Sequence, residues 1–479
     1  MLASVLKPLD AAYRVELGGI DPIPQTERHG KSLDLFTFWL ATTANFGAIV
    51  AGGIAPALGL DLWQSLFVIF VGALSYVTVG AVSIYGPRYG LATLAISRLV
   101  FGGWANRVNA FVSWLLGLGW AAIGLAIGTL SFATMVGYVL PHASPTLAKI
   151  AGLVVMSALL YVGSLFGHAT IQAVEKYLAW IFAALVVAVC LVLLSHGVLA
   201  HLNPGRSIGP LAGSGVWATL AIAAMIFISS GGVGWSFMGA EYTRYLPADT
   251  PTRRLGFLVS LGGAIPSLVL PMIGVVLALS GHLSDPIVDI PRLLPAWLGI
   301  PFLAFAIVST VAGYVPNLYS AALDFMVLGV KVRRQVSVTI VFAIALAGSL
   351  VALFVYNFIS SFETFLSLGV VWAAPWLAVF LGALWLHQRK AKHGFGMATV
   401  SLQASAPSAT IAGLLGFIVA LLCSNDYPLW VGPLARALGG ADISIYASSA
   451  VALLTLWLLE RRRARRQTVL GDAEVEAGA

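Results

Sequence analysis

The sequence predicts an all-α integral membrane protein of twelve transmembrane helices. Three observations carry that prediction: 59% of the 479 residues are hydrophobic, only 9% are charged, and apolar runs of spanning length recur twelve times. Soluble domains carry about a quarter charged residues, and about 18 to 25 apolar residues in a helix cross a ~30 Å hydrocarbon core. Only helices satisfy their own backbone groups in lipid without closing a barrel, and these runs are too long and too uniformly apolar for barrel strands.

In chain order the runs lie near residues 35–56, 62–85, 108–137, 147–167, 176–196, 216–240, 255–280, 299–323, 336–355, 364–386, 406–424 and 444–460. The residues before the first run are polar and mixed in charge, with no basic stretch leading into a short apolar one, so no cleavable leader is expected. With both termini cytoplasmic, the inner segments hold 22 Lys and Arg, and the outer ones hold 4: Lys149, Arg206, Arg292 and Arg436. This is the positive-inside pattern, and it supports both the span count and insertion in the cell (inner or plasma) membrane. It also accounts for the net charge of +7 and the RRRARR run at 461–466 without nucleic acid. Cys190 and Cys423 fall in non-neighbouring runs and read as small apolar fillers, not as a disulfide.

The first run contains Thr42, Thr43 and Asn45 before Gly47; the sixth contains Ser229 and Ser230 before Gly231, Gly232 and Gly234. Both place hydroxyls and a helix breaker near mid-membrane, five runs apart. Two inverted five-helix repeats, each opening on a broken helix, would have that spacing. Irregular backbone at such depth is tolerated where it lines a cavity, and its freed N–H and C=O groups can then bind a ligand; the alternative is that the glycines only let helices pack closely. The organisation read from this is an N-terminal cytoplasmic segment (1–34), a first repeat (35–200), a second repeat with the broken sixth helix (201–390), two accessory helices (391–460) and a basic, then disordered tail (461–479).

No His pair stands at metal spacing, no nucleophile, base and orienter set is evident, and there is no phosphate loop, so an enzyme is disfavoured. Glu175, Glu241, Asp324 and Glu363 fall at the ends of runs and read as helix-end charges facing water or a loop partner. Without a charge at mid-membrane, where an unpaired one is costly, a neutral, planar, polar ligand fits best. The groups available to it are Trp120, Trp235 and Asn317: indole faces stack, and an amide pairs a donor and an acceptor with a heterocycle edge. Against this, a membrane Trp is often an interfacial anchor, and a lone Asn often joins helices.

Four stretches carry a resemblance to a known family: GPRYGLATLAISRLVFGGWANRV (86–108), GWSFMGAEYTRYLP (234–247), NLYSAAL (317–323) and GGADISI (439–445), with FLSLGVVWAAPW (365–376) fitting as well. The sequence resembles the nucleobase:cation symporters of the purine-cytosine permease branch over nearly its whole length. The resemblance implies a leucine-transporter-type inverted 5+5 repeat plus two extra helices. It implies secondary active transport, by symport, of a neutral nucleobase or related heterocycle. An amino acid on the same scaffold is the alternative within the class; a membrane sensor or lipid enzyme is the alternative outside it. The partners implied are that substrate, a coupling cation (H+ or Na+) and the lipid bilayer, with no organic cofactor.

The resemblance maps substrate contacts to Trp120, Gly124, Gly231, Gly232, Trp235 and Asn317. Gly124 stands where relatives place an Asn or Gln, which implies room for a larger or differently polar ligand. Gly232 lacks an aromatic that Trp235 could supply. Glu241 replaces the usual Asp and is expected to partner Arg244. In sodium-coupled relatives the ion sits between carbonyls of the broken first span and two hydroxyls of the eighth. The matching positions here are Val311 and Ala312, which have no side-chain oxygen, and the nearest hydroxyls are Ser309 and Thr310. Thr310 lies about 20° from the Asn317 direction on a helical projection. Thr42, Asn45, Ser309 and Thr310 are therefore the candidate cation residues, and protons are the expected coupling ion.

Overall fold

The computed structural model describes residues 10–202, 215–281, 286–354, 358–392, 405–426 and 429–477. Asn45 breaks the first span. The helix Ser32–Thr43 stops there, and the chain resumes as Phe46–Gly52 and Ile54–Ala57, bent by 58° from the first part. The Asn45 amide reaches back towards the carbonyls of Thr42 and Thr43, at 3.5 and 3.4 Å. The Phe46 N–H, the first donor of the second half, donates to Ser309 Oγ at 3.2 Å. The sixth span breaks in the corresponding place, where Val216–Ile228 ends and Gly231 takes φ −88° and ψ −140°.

The sixth-span glycines serve close packing. A Cβ on Gly232 would sit 2.0 Å from the Ser75 carbonyl of the second span, and its N–H donates to Ser75 Oγ at 2.7 Å.

Among the described residues ten helices are long and apolar enough to cross a membrane, or eleven when the bent first pair counts as one. They follow the expected runs, with ends that extend past the hydropathy edges: the fifth begins at His168 and the eighth ends at Val327. The third helix, Thr93–Val139, includes most of the expected 86–107 loop and is interrupted only at Gly102, whose φ of +75° suits glycine. The twelfth run opens the final helix, Ser444–Ala477. That helix continues through the basic residues to Ala477, a stretch in which Arg, Ala, Gln and Glu favour helix. Asp442 of the GGADISI motif accepts from the N–H groups of Asn425 and Ser444, tying this helix to the preceding turn.

The third span packs along the eighth, and the first along the fifth and seventh, while the tenth, eleventh and final helices pack on one another. Cys190 and Cys423 are both free.

Candidate functional site

A cavity of about 70 Å³ lies between the two breaks. The first span contributes Thr43, Asn45 and Gly47 to its wall, the sixth Ser230, Gly231 and Trp235, the third Trp120 and the eighth Tyr314. Among the described residues none that lines it is Asp, Glu, Lys, Arg or His. Trp120 is half-buried and stacks on Tyr314, with ring centroids 6.4 Å apart and 29° between planes. Trp235 is held edge-on by Trp39 at 5.6 Å. Two indoles and two phenols, the second from Tyr76, thus bound a space whose polar groups are amide, hydroxyl and backbone.

The other expected substrate residues sit differently. Gly232 is buried against the second span, outside the cavity lining. Gly124 leaves no vacant room, because a Cβ there would meet Tyr314 Cγ at 2.3 Å. The missing side chain admits the Tyr314 ring, and the Tyr314 hydroxyl comes within 3.2 Å of where a Gly47 Cβ would be. Tyr314 is therefore a cavity residue that sequence reasoning missed; its one signal is a tyrosine three positions before Asn317. Asn317 donates to the Gly313 carbonyl of its own helix at 2.9 Å and lines a second, smaller cavity on the other side of Trp120.

At the first-span break, Ser309 meets Phe46, whereas Thr310 Oγ1 turns to the Ala306 carbonyl at 2.6 Å. Ser309, not Thr310, is thus the hydroxyl facing the break. Thr42 donates to Glu175 Oε2 at 2.7 Å.

That contact belongs to a wider correction: the carboxylates read as helix-end charges are buried. Glu175 is held by Thr42, Asp324 accepts from Ser113 Oγ at 2.5 Å, and Glu241 accepts from Thr93 Oγ1 at 2.5 Å. For Glu175 and Asp324 the cause is helix length, since their spans run on past the apolar stretches and carry these groups inside, whereas Glu241 lies in the turn that follows the sixth span. The side chain of Glu363 lies outside the described residues. Glu241 joins the 86–108 and 234–247 stretches through Thr93. The ion-pair partner of Arg244 is instead Glu16, at 3.0 Å.

Glu16 organises a layer across the end of the bundle that holds the N-terminal segment. Its Oε1 accepts from Arg244 Nη2, from the Tyr245 hydroxyl at 2.7 Å and from the Tyr319 hydroxyl at 3.1 Å; its Oε2 accepts from the His168 N–H at 3.0 Å. Arg334 donates to the carbonyls of Glu16 and Ser164. Asp10 pairs with His168 Nδ1 at 2.6 Å and accepts from the Ala169 N–H. One segment thus joins the corner between the fourth and fifth spans to the sixth, eighth and ninth. Nothing in the N-terminal sequence distinguishes Glu16 from an ordinary solvated residue.

Two broken helices facing each other across an uncharged aromatic cavity, inside a bundle of membrane spans, define a membrane transporter. Comparison with known proteins places it further. The family model described as "Permease for cytosine/purines, uracil, thiamine, allantoin" matches residues 22–443, and the chain belongs to that family. Its members are permeases, so the protein is a transporter and not an enzyme. The purine-cytosine permease fcyB of Emericella nidulans is 26% identical, covering 93% of this chain and 88% of its own length. The purine-cytosine permease FCY21 of Saccharomyces cerevisiae is likewise 26% identical, covering 92% of this chain and 85% of its own. Among solved structures, Mhp1, a nucleobase-cation-symport-1 family transporter in a closed conformation with bromovinylhydantoin bound, superposes with a TM-score of 0.69. It is 16% identical, covers 97% of each chain, and bears out the expected fold.

Proposed function

We propose that the protein imports a neutral nucleobase or related heterocycle by cation-coupled symport, binding it in the cavity between the first and sixth spans and releasing it by alternating access. The observation that carries this reading is the lining itself: Trp120, Trp235 and Tyr314 supply ring faces, Asn45 and Ser230 supply hydrogen bonds, and no ionised side chain is present. An amino acid would find no opposite charge for either of its own among these lining side chains. The relatives' names support the nucleobase class. The distribution of basic residues supports two cytoplasmic termini in the cell membrane, with the Glu16 layer on the inner side. A panel of radiolabelled nucleobases and amino acids presented to proteoliposomes tests the reading. Saturable uptake of a nucleobase is expected, and uptake of amino acids alone would overturn it.

For the coupling ion, protons are the better supported choice. Val311 and Ala312 offer no side-chain oxygen, and the nearby hydroxyls are engaged: Ser309 by Phe46, Thr310 by Ala306 and Thr42 by Glu175. Replacing sodium with choline is expected to leave uptake nearly unchanged, and a protonophore to reduce it. Steep sodium dependence abolished by Ser309→Ala or Thr310→Ala would show a sodium site at the break instead.

Asn317→Ala is expected to weaken substrate binding by about 1 to 3 kcal/mol on the reading that the substrate's polar edge reaches past Trp120 to the smaller cavity, where it would lose its partner. Equilibrium binding on purified protein reads this directly. An unchanged affinity with poor expression would assign Asn317 to helix packing.

A further inference from the structure

The small cavity beyond Trp120 has an apolar wall that includes Leu116, Phe237 and Met238, and a second wall that carries oxygen. Ser113 lines it from the third span, and Asn317, Ser320 and Asp324 line it from the eighth, the last two following Asn317 by about one and two helical turns. Its volume is about 10 Å³, enough for roughly one water-sized group. Asp324 and Ser320 are each only 2% exposed. Of the two Asp324 oxygens, Oδ2 accepts from Ser113; among the described residues Oδ1 has no hydrogen-bond partner, and neither does Ser320 Oγ. No Lys, Arg or His forms an ion pair with Asp324 among the described residues.

The surroundings do not neutralise this carboxylate. Beyond the sixth span Glu241 lies close enough for its charge to oppose that of Asp324. Arg244 and Arg334 are committed to Glu16 in the layer that also includes Tyr319. On the helices packed against the eighth, the third span carries Arg98, Arg107 and Tyr138, the fourth Lys149 and Tyr161, and the fifth His168, Glu175, Lys176 and Tyr177. Arg107 lies against Gly329 just past the end of the eighth span, His168 is paired with Asp10 and Glu175 with Thr42. A buried carboxylate without a counter-charge is costly in a membrane interior and usually marks an ion or proton path.

We propose that this cavity is the coupling-cation site: a small monovalent cation neutralises Asp324, either as a proton on Oδ1 or as Na+ held by the Asp324, Ser320, Ser113 and Asn317 oxygens. The inference rests on the symport reading and gives the ion a place. It also supplies a coupling route, because Trp120 and its neighbour Asn317 border the cation cavity while Trp120 walls the substrate cavity too. Filling one cavity fixes the indole that the other ligand stacks on. Each ligand then raises the affinity of the other by the same factor.

The test is the thermal unfolding of purified, substrate-free protein in sodium chloride and in choline chloride, each at pH 6 and pH 8, for the wild type and Asp324→Asn. The wild type is expected to be stabilised by one cation, Na+ or H+, which also decides between them; Asp324→Asn is expected to lose that response. With a transported nucleobase present, wild-type affinity should change by at least about 5-fold on removing that cation, and the variant's by less than about 2-fold. A response that persists in Asp324→Asn, or is absent from the wild type, overturns the proposal. If Asp324→Asn does not fold, Ser113→Ala replaces it. Losing the hydrogen bond to the carboxylate should raise the pH midpoint or the Na+ concentration of half-response, and no change in either overturns the site. A cation response without binding of any nucleobase would leave the site standing and refute the substrate class.

Discussion

Trp120→Ala abolishes uptake while the protein still reaches the membrane. The indole stands half-buried between the two cavities and lies against Tyr314, which occupies the space that Gly124 leaves open. Removing it deletes the stacking face for a planar substrate, a contact worth about 1 to 3 kcal/mol per base where bases stack on aromatic side chains in nucleic-acid complexes. It also merges the two cavities, so the substrate no longer closes off a defined space. The loss should therefore exceed the stacking energy and remove transport altogether. Folding should survive, because the side chain is only half-buried and stands at the edge of the packed core, bordering both cavities. Uptake assays alongside surface expression and size-exclusion profiles check this. Retained uptake with unchanged apparent affinity would return Trp120 to an anchoring role.

The parts legible in the sequence are those that repeat or punctuate a pattern. Asn45 and the glycines from Gly231 interrupt apolar helices at corresponding places, and a helix interrupted in lipid must find other partners for its backbone; both breaks follow from local sequence alone. Trp120 was legible because it lies far from either end of its apolar run. Depth at the span ends was not legible. Hydropathy places a boundary where polar residues begin, whereas the fifth and eighth helices continue beyond it and carry Glu175 and Asp324 inside. Pairings distant in sequence were also hidden. Gly124 and Tyr314 complement each other in shape across two helices, and the sequence of each segment gives only half of that fit. Arg244 lies three residues from Glu241, yet its ion pair is made with Glu16, 228 positions away.

That distant pair leads to the largest expected effect on stability. Glu16 and Arg244 are both 0% exposed, and Arg334 lies 4.0 Å from the same carboxylate. In Glu16→Ala two guanidinium groups remain in one enclosed layer without their shared anion. Breaking one side of a buried ion pair typically costs about 3 to 5 kcal/mol, because the remaining charge is uncompensated. The hydroxyls of Tyr245 and Tyr319 also lose their acceptor, and the His168 N–H at the head of the fifth span loses its own. Glu16→Ala should therefore lower the unfolding temperature of the purified protein sharply, and Glu16→Gln less so because it keeps acceptors in place. If the missing anion is the cause, Arg244→Met added to Glu16→Ala should recover part of the loss, a non-additivity that a double-mutant cycle measures. Additive effects, or a Glu16→Ala protein as stable as the wild type, would mean that the N-terminal segment rests on the bundle without holding it. With the pair intact, the layer ties the sixth, eighth and ninth spans to the corner of the fourth and fifth, so opening the bundle at this end requires Glu16 to leave Arg244. The segment that the sequence presents as a polar tail would then set the energetic cost of opening this end of the bundle.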